Sequence, residues 1–164
     1  MSKTEKDLRE AFAGESQANR RYLAFAKQAD KEGLTQVARI FRAAAEAETV
    51  HAHAHLRVLG GVKDTASNLK EAISGETYEF KTMYPAMIED ARAEGNKAAE
   101  RTFTFANEVE KIHAALFEKA LEKMGALEVT DVHVCATCGY TVEGAPPERC
   151  PVCGANSKAF FRVD

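Results

Sequence analysis

The sequence predicts an all-α four-helix bundle followed by a small metal-stapled β/loop domain, and two observations carry that prediction. Over the first 125 residues, apolar side chains recur at spacings of three and four, and the pattern halts at Gly33, Gly60-Gly61, Gly95 and Gly125, as it does at helix C-termini. The last thirty residues then hold all four cysteines, as Cys135-x-x-Cys138 and Cys150-x-x-Cys153, which is metal-ligand spacing. The expected division is a bundle over 1–125, a short polar linker over 126–132, and a small domain with four cysteine ligands over 133–164.

The glycines divide the bundle into helices over about 4–31, 34–59, 68–94 and 96–124, with Ser67 or Asn68 as the expected cap of the third. Pro85 lies inside that third helix and removes a hydrogen bond to the carbonyl of Lys81, so a kink is expected there. In the second helix, Val37, Phe41, Ala44, His55 and Leu59 form one apolar stripe, and Glu48 and His51 fall on it. In the fourth, Glu110 and His113 fall on a stripe with Phe103, Ala106, Phe117 and Met124.

The halves of the bundle repeat. Ala11-Phe12-Ala13-Gly14-Glu15-Ser16 matches Ala72-Ile73-Ser74-Gly75-Glu76-Thr77, and the two Glu-x-x-His pairs recur at nearly the same offset. Each helical hairpin thus supplies one Glu and one Glu-x-x-His, and the third helix adds Glu79 where the first has Ala18. Five inward carboxylates (Glu15, Glu48, Glu76, Glu79, Glu110) with two imidazoles (His51, His113) are untenable in a small core without cations, since an unpaired buried carboxylate costs several kcal/mol. Mixed oxygen and nitrogen donors suit iron or manganese, and two divalent or trivalent ions balance the charge. The pattern resembles ferritin-like di-iron bundles, in which a Glu from each of two helices joins a Glu-x-x-His from each of the others.

In the C-terminal segment, Gly139 and Gly154 each follow the second Cys of a pair, permitting the tight turn whose amides face thiolate sulfur. The segment is too small to fold on apolar burial alone, so its metal must stabilise it, with Tyr140, Phe160 and Phe161 as the expected core. Spacing alone fits a structural zinc ribbon and a redox-active Fe(Cys)4 centre equally. Attachment to a dinuclear carboxylate bundle favours iron, because such a site needs an electron supply.

Over nearly its full length the chain resembles the rubrerythrins. Gly14-Glu15-Ser16-Gln17-Ala18-Asn19-Arg20-Arg21-Tyr22, Gly75-Glu76-Thr77-Tyr78-Glu79, Met83-Tyr84-Pro85 and the rubredoxin-like knuckles carry the likeness. The resemblance implies two non-haem irons bridged by Glu48 and Glu110, with Glu15 on one iron and Glu76 and His113 on the other. It further implies that Glu79 and His51 exchange at the first iron with its redox state, which makes these two the expected catalytic pair. Cys135, Cys138, Cys150 and Cys153 would hold a third iron, which zinc can replace in isolated protein. His55 reads as a packed core histidine, His53 and His133 as solvated, Met83 and Met87 as packing. Tyr22 and Tyr84 fit either packing or hydrogen bonding to ligand carboxylates.

The function implied is a peroxidase that reduces hydrogen peroxide to water in oxidative-stress defence. Electrons would come from an external donor, a rubredoxin or an NAD(P)H-dependent reductase, because the chain has no nucleotide-binding glycine motif of its own. The competing classes are a ferritin-like iron oxidase or store and a zinc-bound structural or interaction protein. A net charge of −3 without a basic stripe gives no nucleic-acid partner, no segment has membrane-spanning length, and the charged N-terminus lacks a signal peptide's apolar core, so a cytoplasmic protein is expected. The connection between the second and third helices is too short for the crossover a ferritin-like bundle requires, which points to a domain-swapped homodimer.

Overall fold

A computed structural model describes residues 1–164. Its helices are α1 (Lys3–Lys31), α2 (Thr35–Val58), α3 (Thr65–Tyr78), α4 (Tyr84–Ala93) and α5 (Lys97–Glu122); a π-helical turn, Glu79–Met83, joins α3 to α4. The strands β1 (Val132–Cys135), β2 (Thr141–Glu143) and β3 (Phe160–Val163) form an antiparallel sheet in the order β2-β1-β3. The chain divides into two compact units, Met1–Lys63 and Asp64–Asp164. That boundary falls in the loop between α2 and α3; the linker segment 126–132 lies inside the second unit.

In the first unit α1 and α2 form an antiparallel pair. The buried seam consists of alanines: Ala18, Ala26 and Ala29 on α1, and Ala38, Ala45 and Ala52 at heptad spacing on α2. Small side chains let the backbones approach closely, and the larger apolar groups flank the seam. Val37, which the sequence places on the core stripe, is accordingly exposed, while His55 is half-buried and His53 exposed. Phe25, Tyr22 and Phe41 pack against one another, with ring centroids 5.6–6.3 Å apart.

In the second unit α3 and α4 pack on α5. Asp64, rather than Ser67 or Asn68, caps α3: its carboxylate accepts from the Ser67 amide at 3.0 Å and from the Ser67 hydroxyl at 2.7 Å. Pro85 stands at the second position of α4, and the expected kink takes the form of the π turn before it. There the Tyr84 amide reaches back to the carbonyl of Glu79.

The strand segment packs within the same unit as α5. Tyr140 and Phe160 meet edge to face at 6.1 Å, but Phe161, expected with them in the core, is 52% exposed: strand alternation puts it on the opposite face from Phe160, beside Val134 and Val163. His133 belongs to β1, and its Nδ1 lies 2.7 Å from the Gly144 carbonyl, so it is hydrogen-bonded and half-buried rather than solvated. Met124, expected on the fourth helical stripe, lies beyond the end of α5 and is exposed.

Candidate metal centres

Glu15 on α1 comes together with Glu48 and His51 on α2, their ligand atoms all within 4.8 Å of one another. A spacing of three residues sets Glu48 and His51 side by side on one helical face. His51 Nδ1 is 3.2 Å from Glu48 Oε2 and 4.0 Å from Glu15 Oε1. The register between the two helices is fixed beside this trio by Asn19, whose Nδ2 donates to the Ala45 carbonyl at 2.7 Å and to Thr49 Oγ1 at 2.9 Å. The contact between the two carboxyls raises the pKa of Glu15 and lowers that of Glu48.

The second unit repeats the arrangement. Glu76 on α3 meets Glu110 and His113 on α5; His113 Nδ1 is 2.7 Å from Glu110 Oε2 and 3.9 Å from Glu76 Oε1. Burial, followed by the charge of Glu110, raises the pKa of Glu76. Glu79 stands outside this trio, at the first position of the π turn, and its carboxyl is raised by burial and then by the neighbouring charge of Glu76. Tyr84 belongs to the same environment: burial, then the charges of Glu79, Glu110 and Glu76, hold its hydroxyl in the protonated form. Tyr22, by contrast, packs against phenylalanines.

The four cysteines form the third cluster. Cys135 Sγ and Cys153 Sγ are 3.7 Å apart, and Cys138 Sγ and Cys150 Sγ 3.5 Å. The edge of a sulfur tetrahedron around a metal with bonds of about 2.3 Å is about 3.8 Å, so the thiols are already near coordination geometry. The two knuckles match: Gly139 N bonds to Cys135 O at 2.8 Å, and Gly154 N to Cys150 O at 2.9 Å. Both glycines adopt positive φ, 87° and 76°, which a side chain would oppose. Burial pushes the Cys135 thiol up, but the amides of Thr137 and Cys138, with the neighbouring Cys153 and Cys138 sulfurs, offset it and bring it to about 7. Burial raises Cys138 and Cys153.

Sequence reading misses what surrounds the donors. On β2, Thr141 Oγ1 lies 3.0 Å from His113 Nε2, and Glu143 pairs with Lys119 of α5. A cleft of about 400 Å³ runs beside them, walled by Leu116, Phe117, Val132, Val134 and Val163, with Glu76 and His113 at its edge. A strand threonine paired with a distant helix histidine has no periodic signature. The donor chemistry fits the groups expected: oxygen and nitrogen donors for iron in each helical pair, four sulfurs for iron in the strand segment.

Comparison with known proteins agrees. Residues 6–121 match the family model described as rubrerythrin, and 133–161 match that of the rubrerythrin rubredoxin-like domain. Rubrerythrin-2 of Clostridium acetobutylicum is 37% identical over 93% of this chain and 92% of its own. The rubrerythrin of Porphyromonas gingivalis is 37% identical over 98% and 89%, and nigerythrin of Nitratidesulfovibrio vulgaris 36% over 93% and 83%. Among solved structures, mixed-valent nigerythrin aligns with a TM-score of 0.60 at 34% identity, covering 99% of this chain and 88% of that one. Fully reduced nigerythrin, described as all ferrous, aligns with a TM-score of 0.61 at 33% identity over the same shares.

Proposed function

The chain belongs to the rubrerythrin family of oxidative-stress di-iron proteins, and from that premise we propose that it is a peroxidase reducing hydrogen peroxide to two waters with two electrons and two protons. The observation that carries the reading is that one compact unit holds both a Glu-Glu-His donor trio and the four-cysteine cluster, joined through Thr141 and His113. An iron store has no use for an electron inlet hydrogen-bonded to a ligand.

Two ferrous ions held by the carboxylates and imidazoles would supply the two electrons that cleave one O–O bond. Glu48 and Glu110 would be the ligands shared by the two ions, with Glu15 serving one ion and Glu76 with His113 the other. Glu79 and His51 are the exchanging pair. Hard carboxylate suits ferric iron and borderline imidazole ferrous iron. Glu79 is suited to movement because it starts a π turn, where an extra residue loosens the backbone ladder. The Tyr84 hydroxyl, held protonated by burial and by the charges of Glu79, Glu110 and Glu76, would be a proton source. Cys135, Cys138, Cys150 and Cys153 hold the iron through which electrons return one at a time from an external rubredoxin or NAD(P)H-dependent reductase. A cytoplasmic setting belongs to the same proposal, since four cysteines that serve as metal ligands rather than disulfide partners suit a reducing compartment. No helix is long and apolar enough to cross a membrane.

The assembly is part of the proposal. Residues 59–64 between α2 and α3 are too few to cross a ferritin-like bundle, so the hairpin α1–α2 of one chain completes its site with α3–α5 of a second copy in a swapped homodimer. Each site then takes Glu15, Glu48 and His51 from one protomer and Glu76, Glu79, Glu110 and His113 from the other.

The test is anaerobic reduction followed by rapid mixing with peroxide or with dioxygen, with metal analysis alongside. The peroxidase reading expects peroxide to reoxidise the protein much faster; faster reoxidation by dioxygen favours the iron oxidase. Colourless protein carrying only zinc after expression in iron-replete cells favours a structural role.

A further inference from the structure

Thr141 opens β2, three residues beyond the ligand Cys138 and two beyond Gly139. Its hydroxyl has one hydrogen to give, and that hydrogen goes to the Gly139 carbonyl at 3.0 Å. Thr141 Oγ1 therefore meets His113 Nε2, also at 3.0 Å, as an acceptor, and Nε2 must carry a hydrogen. In a neutral imidazole the lone pair is then on Nδ1, 2.7 Å from Glu110 Oε2. Two lone pairs facing at that distance repel each other, and a cation bound by both converts the repulsion into coordination.

We propose that Thr141 is a positioning residue that fixes His113 as an Nδ1 metal ligand and, with Gly139, forms the bridge by which electrons pass from the cysteine-bound iron to the dinuclear site within one chain. The inference rests on the rubrerythrin reading of the two iron sites, not on peroxide being the oxidant. The path runs from Cys138 along the backbone to the Gly139 carbonyl, through the Thr141 hydroxyl, to His113 Nε2 and across the ring to Nδ1. It crosses two hydrogen bonds and no open gap. The docking that holds it does not depend on the threonine alone: Lys119 pairs with Glu143 further along the same strand, and Leu116, Phe117, Val132 and Val134 keep the adjoining cleft apolar. Each electron that crosses oxidises the cysteine-bound iron from ferrous to ferric and reduces one ferric ion of the pair to ferrous. A one-electron protein reductant outside the chain then restores the cysteine-bound iron, and two crossings complete the reduction of the pair.

Thr141→Val keeps the shape and removes the hydroxyl; Thr141→Ser returns it. In iron-loaded full-length protein poised with both sites oxidised, a reducing pulse delivered to the cysteine-bound iron is followed by the return of its red colour as the electron moves on. No peroxide is present, so failure of the peroxidase reading leaves this measurement intact. Valine should slow the transfer about 10- to 100-fold, the usual cost of losing an outer partner of a metal ligand, with iron content and both reduction potentials unchanged; serine should restore it. In zinc-substituted protein labelled with 15N at histidine, the Nε2 hydrogen of His113 should exchange slowly with solvent in the parent and the serine variant and quickly in the valine variant. Transfer as fast in the valine variant as in the parent, serine as slow as valine, or a His113 signal showing hydrogen on Nδ1 would each overturn the proposal. Should the valine variant fail to retain iron, the serine variant and the zinc-form spectrum decide by the same criteria.

Discussion

Lengthening the loop between α2 and α3 should convert the proposed swapped dimer into a self-sufficient chain. From Glu48 to the end of α2 at Val58 is about 15 Å of helix, and from Thr65 at the start of α3 to Glu76 about 17 Å, at ~1.5 Å per residue. For both Glu residues to reach one level in a ferritin-like bundle, the connection must travel back about 32 Å along the axis and about 10 Å across it, a path of about 33 Å. The stretch from Val58 to Thr65 reaches only about 25 Å when fully extended. Fraying a residue or two at each end would close the gap, but it would sacrifice the Asp64 cap, worth about 1 kcal/mol, along with the amide bonds of Leu59 to His55 and of Gly60 to Arg57. The swapped arrangement keeps all of these.

The assay is complementation. A Glu48→Ala chain co-refolded with an equal amount of a Glu110→Ala chain should give about half heterodimers, each with one intact and one doubly damaged site. About a quarter of the wild-type iron binding and activity should then reappear. Inserting about ten Gly and Ser residues after Gly61 in both chains roughly doubles the loop's reach. Complementation should then disappear, and the otherwise unmutated insertion variant should load iron as a monomer by sedimentation. No recovery in the mixed short-loop chains would refute the reasoning, as would a fully loaded wild-type monomer.

Other outcomes are equally specific. His51→Ala should slow single-turnover reoxidation by peroxide at least tenfold while reducing bound iron far less; parallel losses would make His51 an ordinary structural ligand. Cys138→Ser should abolish the red absorption and unfold the strand segment, because a structural metal site is worth on the order of 10 kcal/mol and the apolar support there centres on one Tyr140–Phe160 contact. The helical circular dichroism should survive. The pKa values of Glu76 and Glu79 are raised in the folded chain, so their contribution to metal-free stability is full at acid pH and is lost as pH rises through their folded values. Glu79→Gln should therefore raise the melting temperature of chelator-treated protein at pH 7 and leave it unchanged near pH 4; equal effects at both values would remove the electrostatic cause. Asp64→Ala should cost about 1 kcal/mol in a denaturant titration of the metal-free protein.

Periodicity and glycine punctuation made the helices legible, because both report local backbone preferences, and the metal donors were legible because carboxylates on an apolar stripe need a cause. The same stripe misled about packing. The seam between α1 and α2 is built from alanines, which carry little weight in a hydrophobic pattern, so the pattern places Val37 in a core that Ala38, Ala45 and Ala52 occupy. Pro85 announced a disturbance but not its form: a proline signals a missing donor, and the neighbouring backbone decides whether the answer is a bend or a π turn. Thr141 and Glu143 carry no signal in the sequence, and His133 reads there as solvated, because each takes its partner from tertiary approach. Strand pairing aims them, and nothing in a linear pattern records where a sheet docks.

The two halves of the repeat have diverged in a direction that fits their proposed roles. With a metal on Nδ1, His113, 27% exposed, would be held at both ring nitrogens, by the ion it shares with Glu110 on one side and by Thr141 on the other. His51, its counterpart, is 55% exposed, and its carboxylate contacts all involve the same nitrogen, Nδ1. A ring gripped at both ends resists rotation, whereas one held at a single atom can swing about it. The same asymmetry separates the carboxylates: Glu15 lies within the uninterrupted α1, while Glu79, which has no counterpart in α1, begins a π turn. Gene duplication alone yields two equivalent half-sites. A ligand exchange driven by redox state would require one fixed ion and one that can change partners, and the fixed ion would belong with His113, beside the cysteine cluster, where a constant geometry would keep the proposed electron path intact from one turnover to the next.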